Sequence, residues 1–288
     1  MLDLEYGLHQ LTRQHRDGSY ATQRDRRRTL SLAARQLHRT LNFRLPHARA
    51  LKPKHVAALV THWKATVSVA TQKNRIAALR WWADKVGKGN VVATTNAQLG
   101  VGKRAYRLNV SKAISHPEAA IQRVKDPYVA MGLRLQQVFG LRRAEAMKLR
   151  PGLADRGHYL ELKSAWCKGG RPRVIPIRTT QQRTVLNHAK ALARGGSLIP
   201  SHKSYREQVH TWEYQTQRAG LSQTHGLRHA YAQSRYLELT GFKAPAAGGP
   251  RRFVLTGDQQ RLDTAARMQI AEELGHSRIG ITHHYLGR

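Results

Sequence analysis

Apolar residues recur every three or four positions through much of the first hundred residues. From Thr29 to Leu45 the chain sets Leu30, Leu32 to Ala34, Leu37 and Leu41 on one side, which predicts an amphipathic helix. Lys52-Pro53 predicts a second helix start, since proline suits a first turn, and Val56, Leu59, Val60 and Trp63 supply its apolar stripe. A third helix begins near Ser68 and carries Thr71, Ile76, Leu79, Trp82 and Val86 before Gly87 ends it. Trp81-Trp82 fits this stripe better as core than as a platform for stacking bases. Between Gly87 and His116 the periodicity fades into Lys88-Gly89-Asn90, Gly100 and Gly102, which reads as linker.

Beyond that point the pattern is mixed. Tyr128 to Phe139 is apolar and helical, whereas His158 to Leu162 and Arg173 to Ile177 are short β-type runs. Lys168-Gly169-Gly170 lies between those runs and suggests a hairpin. Helices resume after Thr180, and Gly241 to Gly257 reads as loop. No internal repeat is present. The expectation is a mainly α protein with a small antiparallel β-sheet (α+β), with a helical domain over 1–88, a linker over 89–116 and a mixed domain over 117–288.

Charge narrows the partner. Fifty Lys and Arg oppose 17 Asp and Glu, a formal net charge of +33. The excess is +17 over residues 1–115 and +16 over 116–288. A basic tail on a neutral enzyme is thereby excluded, and both halves are expected to touch a polyanion. Duplex DNA, with its dense phosphate charge, fits better than an anionic membrane surface or ribosomal RNA. Cys167 is the only cysteine, so no intrachain disulfide and no cysteine-based zinc site can form. There is no apolar leader and no run of 18 apolar residues, and we expect a soluble cytoplasmic protein.

Five separated features bear on chemistry, none decisive when read alone. Arg142, in Gly140-Leu141-Arg142-Arg143-Ala144-Glu145, starts a helix and can aim a rigid fork at a phosphate, steadied by Glu145. Alone it reads more readily as one of a solvated arginine pair. Lys168 sits on the expected turn, where it could reach a leaving oxygen or simply be solvated. His225-Gly226-Leu227-Arg228-His229 puts His225 and Arg228 on one helical face, as a phosphate grip or a structural pair. Leu274-Gly275-His276 offers a further donor beside a tight approach, and Tyr285 follows nine residues later.

Taken in order, these strings resemble the tyrosine recombinase (phage integrase) family. The resemblance covers Gly-Leu-Arg-Arg-Ala-Glu, Cys-Lys-Gly-Gly-Arg-Pro-Arg-Val-Ile-Pro-Ile, His-Gly-Leu-Arg-His and Leu-Gly-His-Ser-Arg-Ile-Gly-Ile-Thr-His-His-Tyr, over about residues 120–288. Residues 20–90 resemble its helical core-binding domain. The resemblance implies Arg142 and Arg228 as the arginine pair on the scissile phosphate, Lys168 as the hairpin lysine, His225 and His276 as the histidines and Tyr285 as the nucleophile. Glu145 and His229 match supporting positions around them. It implies a DNA integrase that cuts and rejoins strands through a 3′-phosphotyrosine, integrating or excising a mobile element, with double-stranded DNA as partner. It leaves room for an accessory directionality factor. The chemistry is self-consistent, because phosphoryl transfer needs positioning and charge neutralisation more than covalent help. A phenol attacks only after losing a proton, and a lysine is a suitable acid for the departing 5′ oxygen. Neither ATP nor a metal is called for, and no cofactor is expected.

A type IB topoisomerase shares this phosphotyrosine chemistry, although the helical first domain and compact size favour a recombinase. A metal-dependent transposase would need a carboxylate cluster, and the acids here are few and scattered. A non-catalytic DNA- or RNA-binding protein would leave the five motifs as coincidence. Two departures stand out. The interval from Arg228 to His276 is long and contains the Gly-Pro-Ala segment, where Arg251 and Arg252 suggest either a bland surface loop or a DNA or protomer contact. Only Leu286, Gly287 and Arg288 follow Tyr285, too few for a docking helix, so the expectation is a mobile 276–288 segment. The free protein is expected to be a monomer held apart by its charge, assembling as a homotetramer on DNA.

Overall fold

The computed structural model describes residues 2–104 and 109–288. The expected linker includes 105–108, which lie outside the described residues. The chain divides into two compact units, Met1–Ala105 and Tyr106–Arg288. Among the described residues the architecture is mainly α with one two-stranded antiparallel sheet, as the residue pattern predicts.

The first unit holds α1 (Asp3–Gln14), α2 (Tyr20–Arg39), α3 (Pro53–Thr66) and α4 (Val69–Lys85). Leu4, Leu8, Leu30, Leu37, Leu59, Trp63, Ile76, Leu79 and Trp82 form one core. Ser19 starts α2 by accepting from Thr22 N at 3.2 Å, and Ser68 caps α4 in the same way. The start of α2 lies nine residues before the apolar stripe because its first turns are polar and basic, and an apolar period cannot register them. The tryptophan pair divides. Trp82 is buried and donates to the Ala48 carbonyl at 2.9 Å. Trp81 is only half-buried; it donates to Asp17 Oδ2 at 2.7 Å and lies under the Arg26 guanidinium. Successive residues on a helix point about 100° apart, so both indoles cannot face the core.

In the second unit, α5 (Glu118–Gln122) and α6 (Pro127–Phe139) lead into α7 (Arg143–Lys148) and α8 (Pro151–Ala154). Strands β1 (Tyr159–Leu162) and β2 (Arg173–Pro176) pair antiparallel, with Leu162 opposite Arg173. Their connection is not a tight turn: residues 163–172 run through two short 3-10 turns, Ser164–Trp166 and Lys168–Gly170. Helices α9 (Thr180–Ala193), α10 (Tyr205–Arg218), α11 (Gly226–Thr240), α12 (Gly257–Glu273) and α13 (His283–Leu286) complete the unit. Its core joins Leu135 and Phe139 of α6 to Leu160, Ile175, Leu186, Tyr236, Ile270, Leu274, Tyr285 and Leu286.

Two expectations for this unit change. Within 241–257, Ala244, Pro245 and Ala246 are buried and Arg252 is tied to Asp263 Oδ2 at 2.7 Å. The tail is likewise anchored. Tyr285 and Leu286 belong to the core, Gln233 Nε2 donates to the Tyr285 carbonyl at 2.9 Å, and Arg267 Nη1 donates to the Gly287 carbonyl at 2.9 Å. Apolar burial and these hydrogen bonds hold the segment that was expected to be mobile.

Candidate active site

The site begins where α6 stops. Gly140 ends that helix at φ +61°, a conformation glycine adopts freely. A Cβ there would come within 2.5 Å of the Tyr231 ring, so the position also demands a residue without a side chain. Two residues on, Arg142 caps the start of α7. Its backbone N–H and its Nη1 both donate to Glu145, each at 2.7 Å. Glu145 thereby contacts both the backbone and the guanidinium of Arg142.

Glu145 is fully buried and serves a second arginine. Arg173, on β2, donates through Nη2 to Oε2 at 2.7 Å and through Nη1 to Oε1 at 3.1 Å, a fork-to-fork pair. Burial pushes the Glu145 carboxyl upward, but the hydrogen bonds and charge of Arg173, with Arg142 behind it, hold it at about 2. Arg173 Nε also donates to the Glu273 carbonyl at 2.8 Å, and its Nη1 lies 3.4 Å from Cys167 Sγ.

Arg228, on α11, is 0% exposed. Its Nη1 donates to the Gly140 carbonyl at 2.6 Å, its Nη2 to the Leu274 carbonyl, and its Nε to the Tyr285 hydroxyl at 3.2 Å. It lies 4.0 Å from Glu145 Oε2, and Nη2 is 3.4 Å from His276 Nε2. Burial first, then the neighbouring cations, lower its pKa to about 10, so it remains charged at neutral pH. The carbonyl end of α12 favours cations, and both Arg173 and Arg228 sit on it.

Three imidazoles surround the Tyr285 ring. The centroid of His229 lies 4.6 Å from it, that of His276 5.6 Å and that of His225 6.2 Å. Burial is the largest cause lowering all three pKa values, and nearby cations add to it for each. His229 and His276 are held at about 4, so both are neutral at pH 7. His229 Nδ1 is buried without a hydrogen-bond partner among the described residues. The other tyrosines near this core are unsuited to attack. Tyr231 and Tyr236 donate to Glu273 and Asp263 at 2.7 and 2.6 Å, and burial with those carboxylates pushes both phenols upward.

Arg142, Glu145, His225, Arg228, His229, His276 and Tyr285 thus come together. Lys168 does not. It is exposed on the 163–172 connection and makes no hydrogen bond or ion pair among the described residues, although the preceding Cys167 touches Arg173. Sequence reasoning overlooked Arg173 and Glu273. A signal existed for Arg173, since it shares the inward phase of β2 with Ile175 and an inward arginine requires a partner.

Residues 1–92 match the family model "Phage integrase, N-terminal", and residues 103–234 match the model "Integrase". The chain belongs to the tyrosine recombinase family. Its members are site-specific recombinases, enzymes that break and rejoin DNA strands, and this chain is one of them. The matched segments contain Arg142, Lys168, His225 and Arg228 but stop short of His276 and Tyr285. No curated protein matches the chain in sequence. Among solved structures, a lambda integrase dimer bound to a COC′ core site is 15% identical, with TM-score 0.62, over 98% of this chain and 77% of that one. A lambda integrase tetramer bound to a Holliday junction is 17% identical, with TM-score 0.56, over 95% and 77%. The Tn1549 transposon integrase (aa 82-397) with circular intermediate DNA is 10% identical, with TM-score 0.56, over 100% and 96%. At these identities the likeness is one of fold. Among the described residues of this tyrosine recombinase, no helix is long and apolar enough to cross a membrane.

Proposed function

We propose that this recombinase cleaves duplex DNA by attack of the Tyr285 hydroxyl on a scissile phosphate, in the service of integrating or excising a mobile element. The Tyr285 Oη–phosphorus bond forms and the bond to the 5′ oxygen breaks, leaving a 3′-phosphotyrosine. Rejoining reverses the step, so the bond energy is conserved in the link. Arg142 and Arg228 meet the non-bridging oxygens, Lys168 protonates the departing 5′ oxygen, and the neutral imidazoles of His225 and His276 can accept the phenolic proton or donate to the phosphate. Glu145 and His229 hold the arginines and the tyrosine ring in place.

The observation that carries this reading is the 3.2 Å contact of the Tyr285 hydroxyl with Arg228 Nε inside a cluster where three arginines share one carboxylate. Three guanidiniums against Glu145 leave an excess of positive charge that an anion would neutralise. The even spread of the +33 charge supports DNA contacts from both units, with four protomers acting on two DNA sites.

Tyr285→Phe tests the assignment. It removes one hydroxyl, so the fold and DNA binding persist, while covalent adducts with a nicked duplex carrying the element's end sequence disappear from denaturing gels. Adducts that survive the substitution would overturn the assignment.

A further inference from the structure

Arg173 stands where two parts of the site meet. One part is the phosphate-facing cluster, which it enters through Glu145 and the Glu273 carbonyl. The other is the 163–172 connection that carries Lys168. Arg173 begins the strand at one end of that connection and touches Cys167, the residue before Lys168, on the other leg at 3.4 Å. Between these two points nothing buried holds the turn: Lys168, Gly169 and Gly170 are exposed, and both glycines have positive φ. Close packing fixes Arg173 further, since a Cβ on Gly275 would come within 3.0 Å of its Cδ.

We infer that Arg173 is the positioning residue for Lys168: it pins both legs of a loose turn to the buried Glu145–Glu273 frame, so that the lysine ammonium swings over the scissile phosphate rather than into solvent. The inference rests on the proposed role of Lys168 as acid. Arg173 itself stays on Glu145 and touches neither DNA nor the reacting atoms. What it governs is whether the proton donor arrives.

The chemistry of the leaving group separates this from a merely structural role. In the ordinary reaction the P–O5′ bond breaks and O5′ takes a proton from Lys168. With sulfur in place of that bridging oxygen, the P–S bond breaks and sulfur departs as a thiolate with no proton needed, because a thiol ionises near ~8.5. A defect in proton donation is therefore repaired by the sulfur substrate, while a defect in phosphate clamping is not.

The experiment measures single-turnover cleavage by the full chain on paired nicked duplexes, one ordinary and one with a 5′-bridging phosphorothiolate. Lys168→Ala serves as reference and Arg142→Ala as the unrescued control. Arg173→Lys keeps the charge but loses the bidentate fork, and Arg173→Gln keeps a donor without charge. Each Arg173 variant should lose about 10- to 100-fold on ordinary DNA, a part of the roughly 100- to 10,000-fold that general acid catalysis contributes, and recover at least ~10-fold of it on the sulfur substrate. Because rescue is a ratio within one preparation, partial unfolding cancels. If Lys168→Ala is rescued but neither Arg173 variant is, the inference is overturned. If Lys168→Ala itself is not rescued, the proposed role of Lys168 falls, and this inference with it.

Discussion

Replacing Glu145 by glutamine removes a charge and little else, so its effects can be worked from the structure. The carboxyl is held at about 2 against an ordinary 4.5. A difference of that size corresponds to about 3 kcal/mol of favourable interaction with the ionised form. Breaking a buried ion pair by deleting one partner costs about 3–5 kcal/mol by independent reasoning, here because Arg173 and Arg228 remain buried without a counter-charge. Glu145→Gln should therefore lower the unfolding free energy by about 3–5 kcal/mol at pH 7. Glu213→Gln provides the contrast. Glu213 pairs with Arg143 at 3.0 Å on the surface, with its side chain 60% exposed, and its loss should cost under about 1 kcal/mol.

Urea denaturation of both variants and the parent reads these numbers. The sign with pH follows from the depressed pKa. The Glu145 contribution is full above about 4.5 and is lost as pH falls towards about 2, so the parent and Glu145→Gln should converge in acid. Function should split. DNA affinity should hold or rise because a negative charge is removed, while cleavage should drop by about 10- to 100-fold as the Arg142 fork loses its anchor. If Glu145→Gln costs no more stability than Glu213→Gln, the shared carboxylate does not organise the site.

Three further outcomes follow from other features. His229 and His276, held at about 4 against 6.5 unfolded, favour the fold fully above about pH 6.5; stability should fall by about 1–2 kcal/mol per imidazole between pH 7 and pH 5, and His229→Leu should flatten that slope. Asp263 accepts from Tyr236, Arg252 and Arg267, and Arg267 carries the Gly287 carbonyl; Asp263→Asn should release the tail to limited proteolysis and lower cleavage more than DNA binding. The free protein should sediment as a monomer at physiological salt and assemble only with target DNA, because charge of this size opposes self-association until phosphates neutralise it; a stable tetramer without DNA would contradict this.

The residues that could be read from sequence are those whose spacing reports a helix or a motif. His225, Arg228 and His229 sit within one turn, and Arg142 lies three residues before Glu145, so local geometry alone brings their side chains together. Arg173 and Glu273 were hidden because their partnership spans 100 residues and passes through a backbone carbonyl, which no residue pattern encodes. The tail was misjudged for a related reason. Counting the residues after Tyr285 says nothing about Gln233 and Arg267, which hold the tail from α11 and α12. Trp81 shows the limit in the other direction, since an apolar stripe gives a phase but cannot say which member of an adjacent pair occupies it.

Burial keeps the site histidines neutral, and the charge balance of the site adds to it in a way that suits the proposed reaction. Arg142, Arg173 and Arg228 against Glu145 leave an excess of two positive charges in a buried cluster. A phosphodiester brings one negative charge, and attack by a phenolate brings a second, so the excess matches the transition state better than the free ground state. The same arginines, after burial, hold His276 at about 4. A bound phosphate reverses that part of the shift, because an anion nearby favours the imidazolium. On this reading the imidazole is a poor proton acceptor while the site is empty and a better one once DNA is in place. Deprotonation of the Tyr285 phenol is then favoured only when there is a phosphate to attack.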